Sequence, residues 1–188
     1  MVNKYTYLGA FLDDINKRLN LNEFENLFNK PHQTLKRHLS ELVDEKILIM
    51  EKKNKFLFYS LNKNNFLLCD YLVISEKQKL FEFLTEPLFN RLYLSLEEYF
   101  MENNFLIFGS AVNSKDYSDI DLLILSQETS NEKIKQTLKN FELTYSIEIH
   151  PIFSSEGDLT KTFLQEIIRN HIILNNHDYF VRLFYGKK

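Results

Sequence analysis

The sequence predicts an α/β (α+β) fold in two parts: a helical N-terminal part that closes with a β-hairpin, then a small mixed sheet flanked by helices. Within the first 62 residues, three helical runs precede two β-prone runs separated by a polar turn. From 105 to 125, two apolar runs bracket a Gly-Ser turn and end in alternating carboxylates. Only four Gly and three Pro occur in 188 residues, so ordered structure rather than a flexible linker joins the two parts. A hydrophobic fraction of 44% is ample for packed cores in both.

In the first part, Tyr7, Leu8, Phe11, Leu12, Ile15 and Leu19 recur at helical spacing, Phe24 to Phe28 forms a second helical piece, and Lys30-Pro31 breaks it. A third helix from Pro31 to Glu45 places Leu35, Leu39, Leu42 and Val43 on one face. Gln33, Arg37 and Ser40 lie opposite, with Thr34 and Lys36 at the flanks. Ile47 to Met50 reads as a strand, Glu51 to Lys55 as a turn, and Lys55 to Leu61 as a returning strand carrying Phe56, Phe58 and Tyr59.

Over residues 5 to 62 this order resembles the winged helix-turn-helix domains of small prokaryotic transcription regulators. The resemblance implies a third helix in the DNA major groove and a wing on phosphate or the minor groove. By position it nominates Gln33, Thr34, Lys36 and Arg37 on the helix and Lys52, Lys53 and Lys55 on the wing. Residues 1–62 carry 10 Lys+Arg against 8 Asp+Glu and the remainder 13 against 18, so the basic excess sits in the first part. The same residues also fit a solvated face on a module for dimerisation or partner binding.

Asn62 to Asn65 is a polar break, which sets the expected domains at 1–66 and 67–188. Leu68, Tyr71, Leu72, Ile74, Leu80, Phe81, Phe83 and Leu84 suggest a connector helix. Pro87 then opens another, whose Phe89, Leu92, Leu96, Tyr99 and Phe100 keep helical spacing up to Asn103-Asn104.

Phe105 to Phe108 is a short β-prone run stopped by Gly109, which frees the backbone to turn sharply and to approach a ligand without a Cβ in the way; Ser110 adds a hydroxyl there. Asp119 and Asp121 open the run Leu122 to Leu125, so on a strand both carboxylates share one face and Ile120 takes the other. Two clustered carboxylates facing a phosphate site call for a hard cation such as Mg²⁺. Residues 131 to 141 read as a helix with Ile134, Leu138 and Phe141 on one face. From 143 to 152 a strand follows, with Tyr145, Ile147 and Ile149 alternating with Ser146, Glu148 and His150.

Gly109-Ser110 followed by Ser118-Asp119-Ile120-Asp121-Leu122 resembles the signature of the DNA polymerase β-like nucleotidyltransferase superfamily in its minimal form. That resemblance implies a nucleotidyltransferase-fold domain in which Gly109 and Ser110 contact a nucleoside triphosphate, ATP being the expected one. Asp119 and Asp121 would bind Mg²⁺ (or Mn²⁺), and Glu148, as the third carboxylate, would bind metal or activate the attacking hydroxyl. Asn113 and Ser114 stand where many minimal members carry Arg-Gly, and Lys115 is the nearest cation to substitute. The stretch Thr160 to Tyr185 resembles the tail that follows the third strand in small nucleotidyltransferase-like proteins, and core packing is its expected role.

Cys69 is the single cysteine, the first 20 residues carry Asp13, Asp14, Lys17 and Arg18 rather than a leader pattern, and no run approaches the ~20 apolar residues of a membrane span. These point to a cytoplasmic protein without a membrane partner. The five His show no metal-ligand spacing and read as surface or core-edge residues. Two functional readings follow. One is a Mg²⁺-dependent nucleotidyltransferase acting on a protein, RNA or small-molecule hydroxyl, coupled to a DNA-binding winged helix. The other is a transcriptional regulator whose second domain senses nucleotide or dimerises. A homodimer is expected from the way winged-helix regulators read two half-sites.

Overall fold

The computed structural model describes residues 3–114, 117–125 and 131–186, a mixed α/β arrangement of helices and two small sheets. They divide into two units, Met1–Gln78 with Val181–Lys188, and Lys79–Phe180. The division falls inside helices α3 (Leu68–Phe83) and α7 (His177–Tyr185), beyond the polar break at 62–65. The start of α3 and the end of α7 hold to N-terminal elements. Tyr5 stacks on Tyr71 at 5.3 Å, and Tyr185 donates its hydroxyl hydrogen bond to the Leu12 carbonyl. Lys115 lies outside the described residues.

The first unit opens with a 3-10 helix, Lys4–Phe11, rather than a helix reaching Leu19. Leu19 instead enters strand β1 (Leu19–Asn20), opposite Tyr59. Asn20 then starts α1 (Leu21–Phe28) through a capping box: its side chain accepts from the Asn22 and Glu23 amides while Glu23 accepts from the Asn20 amide. Asn29, at φ 47°, ends α1, and Pro31 precedes α2 (His32–Asp44). Leu35, Leu39 and Leu42 of α2 are fully buried with Phe11, Phe24 and Ile47.

Strands β2 (Leu48–Lys53) and β3 (Phe56–Leu61) form the hairpin, with Lys53 opposite Phe56. The turn is therefore tighter than the sequence suggests. Two residues, Asn54 and Lys55, make it, because Asn54 adopts φ 56°. The sheet order is β1-β3-β2.

In the second unit α4 (Pro87–Leu96) leads through a 3-10 turn into β4 (Asn104–Phe108), and β5 (Asp119–Leu125), α5 (Asn131–Tyr145), β6 (Glu148–Ser154), α6 (Lys161–Arg169) and β7 (His171–Ile173) follow. The sheet order is β6-β5-β4-β7; β5 and β6 run parallel and the other pairs antiparallel. One sheet face is apolar throughout: Phe105, Ile107, Ile120, Leu122, Ile124 and Ile149 pack with Leu92 and Leu96 of α4 and Ile134, Leu138 and Phe141 of α5. On the other face Phe163 of α6 meets Phe108 edge-on at 5.6 Å.

Buried Asn175 ties the start of the sheet together. Its Oδ1 accepts from the Phe105 amide at 2.8 Å, and its Nδ2 donates to the carbonyls of Asn103 at 2.7 Å and Phe100 at 3.0 Å. Replacing Asn175 by Ala strands two buried backbone groups and one part-buried one, so urea unfolding of Asn175→Ala is expected to show a loss of about 2–4 kcal/mol. A loss under about 1 kcal/mol would mean water satisfies those groups instead.

Candidate metal centre

The site begins with Gly109, whose φ of 79° and ψ of −152° lie in a region open essentially to glycine alone. Space demands glycine too, because a Cβ there would overlap the carboxylate of Asp121. The chain leaves β4, passes Gly109 and enters a 3-10 turn, Ser110–Val112, closed by the Asn113 and Ser114 amides donating to the Ser110 carbonyl at 3.2 and 3.0 Å. Ser110 is exposed and Ala111 anchors the turn in the core.

The turn is also held from outside. Asn170, after α6, donates from Nδ2 to the Gly109 carbonyl, and its Oδ1 accepts from the Asn113 amide group. The Asn113 side chain is thus engaged in fixing the loop.

Alternation along β5 places Asp119 and Asp121 on one face and buries Ile120 on the other. The parallel register sets Asp119 opposite Glu148 and Asp121 opposite His150, with Ile120 opposite buried Ile149. Four polar side chains therefore share one sheet face. Glu142 of α5 accepts from the Ile149 amide at 2.7 Å, capping the outer edge of β6 between Glu148 and His150.

His150 is the centre of this group. Its Nδ1 lies 3.1 Å from Asp119 Oδ2 and 3.6 Å from Asp121 Oδ1, and its Nε2 lies 3.0 Å from Glu148 Oε1. The hydrogen bond with Glu148 raises the imidazole above its ordinary value of 6.5; partial burial opposes this, and the charges of Glu148, Asp119 and Asp121 reinforce it. Asp121 is pushed above the usual carboxylate range, first by burial and then by Asp119, with His150 pulling the other way and Glu166 of α6 adding repulsion.

Asp119, Asp121 and His150 each offer one ligand atom, all within 4.8 Å of one another, so this triad could hold a metal ion. Glu148, whose side chain is 70% exposed, stands outside the triad and faces the far nitrogen of His150. If the triad held an ion, a carboxylate in that position could orient the imidazole. Sequence alternation puts Glu148 and His150 on the same face, and only the side-chain distances to Asp119 and Asp121 single out His150. Asn170 carried no local signal at all. On the first unit, Gln33, Lys36 and Arg37 are exposed on α2, Thr34 is half-buried, and Lys52, Lys53 and Lys55 are exposed on the hairpin.

No family model, curated protein or solved structure matches the chain.

Two outcomes follow from the geometry. Gly109→Ala is expected to displace the Asp121 carboxylate and cost about 1–3 kcal/mol from backbone strain, with Mn²⁺ affinity measured by calorimetry falling well below that of the native protein. Because the His150 pKa is raised, its protonated form contributes stability fully below pH 6.5 and loses it as pH rises through the folded value. Metal binding needs the neutral ring, so Mn²⁺ affinity should rise across that interval above 6.5. An affinity independent of pH from 6 to about 8.5 would remove His150 from the ligand set.

Proposed function

We propose that the second unit is a metal-dependent nucleotidyltransferase that moves a nucleoside monophosphate from a nucleoside triphosphate to an acceptor hydroxyl. The observation that carries this reading is the contact between Gly109 and Asp121: a glycine-only turn of the kind that cradles phosphates abuts one of two alternating strand carboxylates. It is consistent with the resemblance of Gly109-Ser110 and Ser118-Asp119-Ile120-Asp121 to the minimal signature of the DNA polymerase β-like superfamily.

In this reading Ser110 and the turn amides hold the triphosphate, while Asp119, Asp121 and His150 hold a divalent ion, with Glu148 orienting His150. The donor set of two carboxylates and an imidazole suits Mn²⁺ at least as well as Mg²⁺. When bound, the ion would neutralise triphosphate charge and favour the ionised acceptor hydroxyl. The acceptor oxygen bonds to the α-phosphorus, the bond from that phosphorus to the bridging oxygen breaks, and pyrophosphate leaves. The hydroxyl proton passes to solvent water.

The first unit is proposed as a winged helix-turn-helix that binds DNA. Support comes from two helices packed on a three-stranded sheet, exposed Lys36 and Arg37 on α2, and three exposed lysines on the hairpin. A second reading, in which the nucleotide site only senses and transcription is the output, is favoured by one feature: Asn113 is spent on Asn170 where many minimal nucleotidyltransferases carry a phosphate-facing arginine.

Calorimetry with each nucleoside triphosphate, with and without Mg²⁺ or Mn²⁺, tests the nucleotide site. Metal-dependent binding that disappears in Asp119→Asn/Asp121→Asn is expected, and labelled nucleotide then reports transfer. No binding to the folded protein would end both readings that involve nucleotide, leaving the first unit as the working part. For that unit, Lys36→Ala/Arg37→Ala should weaken DNA binding and lower its salt slope by about 1 per lost phosphate contact.

A further inference from the structure

A cavity in the second unit lies outside the metal centre. It measures about 420 Å³, within the range of small-molecule pockets. Three aromatic rings line it: Phe83 at the end of α3, Phe89 of α4, and Tyr117 before β5. Their centroids are 4.0 Å apart for Phe83 and Phe89 and 5.4 Å for Phe89 and Tyr117, so the three rings pack on one another beside the cavity, with Phe89 buried in the middle. Glu82 and Glu86 add two carboxylates, and no described Lys, Arg or His lines the space. Neither carboxylate makes an ion pair among the described residues.

Such a lining discriminates by charge. An anion would meet two exposed carboxylates with no counter-charge among the described lining residues, and a neutral apolar molecule would gain nothing from them. A cation is drawn by the carboxylates and by the partly exposed rings of Phe83 and Tyr117 together. The Tyr117 hydroxyl already registers that field, being held above its ordinary value by burial and then by the Glu86 charge.

We propose that this cavity binds an organic cation, a small molecule bearing one or more ammonium groups. The lining alone carries the inference, and it stands whether or not the metal centre transfers nucleotides. Ala111 and Val112 of the turn after Gly109 also border the cavity, so an occupant would share that turn with the metal centre.

The test is calorimetry on the full chain, free of metal and nucleotide, with spermidine and choline as probes. One-to-one binding of at least one probe is expected. It should weaken at least about tenfold in Glu82→Gln/Glu86→Gln and in Tyr117→Leu, and persist in Tyr117→Phe, which keeps the ring. It should also persist in Asp119→Asn/Asp121→Asn, which separates this cavity from the metal centre. No binding, or binding lost with the aspartates and kept without the glutamates, overturns the proposal. So does binding of adenosine in place of both cations, which would make the cavity a neutral aromatic site. Lys115→Ala guards against an internal occupant: if the probes bind only in that variant, the chain's own ammonium fills the cavity and the proposal falls. Metal-dependent nucleotide binding, measured separately, is expected to be unchanged in Glu82→Gln/Glu86→Gln.

Discussion

The parallel pairing of β5 with β6 is the constraint on which the rest of the second unit depends. Ile120 and Ile149 sit side by side and are buried against α4 and α5, which obliges Asp119, Asp121, Glu148 and His150 to share the opposite face. A slip of β6 by one residue would put Ile149 in the polar layer and turn Glu148 and His150 toward the core. Each buried isoleucine contributes about 2 kcal/mol, whereas an unpaired buried carboxylate costs several. Apolar packing on one side of the sheet thus dictates where the charge gathers on the other.

Gathering that charge creates a repulsion that a proton on His150 relieves and that a bound cation could relieve. Asp119 and Asp121 repel one another, and burial already disfavours ionised Asp121. His150, placed between them and backed by Glu148, supplies positive charge when protonated. A divalent ion would replace that charge and take the imidazole as a neutral ligand, so proton and metal compete for one place. Gly109 and Asn170 complete the arrangement mechanically. The glycine leaves room for Asp121, and the asparagine holds the turn that the glycine makes possible.

The N-terminal unit follows a different rule. Its strands are short, and the order β1-β3-β2 lets Leu19 reach across to Tyr59, although Leu19 fits the helical spacing that begins at Tyr7. Local spacing cannot register that partner, because Tyr59 lies forty residues downstream. The capping box of Asn20 and Glu23 restarts the helix at α1, so the strand occupies only two residues. On the hairpin, Asn54 tolerates a left-handed backbone, and the strands run longer than a five-residue turn would permit.

What the sequence determined by itself was local: alternation put Asp119 and Asp121 on one face, Gly109 marked the sharp turn, and helical spacing identified the faces of α2, α4 and α5 that pack inward. Those features follow from the periods of strand and helix and from the lack of a Cβ, and need no knowledge of distant residues. The tertiary structure decided which side chains meet. It chose His150 as the group between the aspartates, left Glu148 behind it, and brought Asn170 to Gly109 across 61 positions of chain. These pairings come from strand register and from the packing of α6, both set by contacts between segments far apart in sequence, where periodicity carries no information.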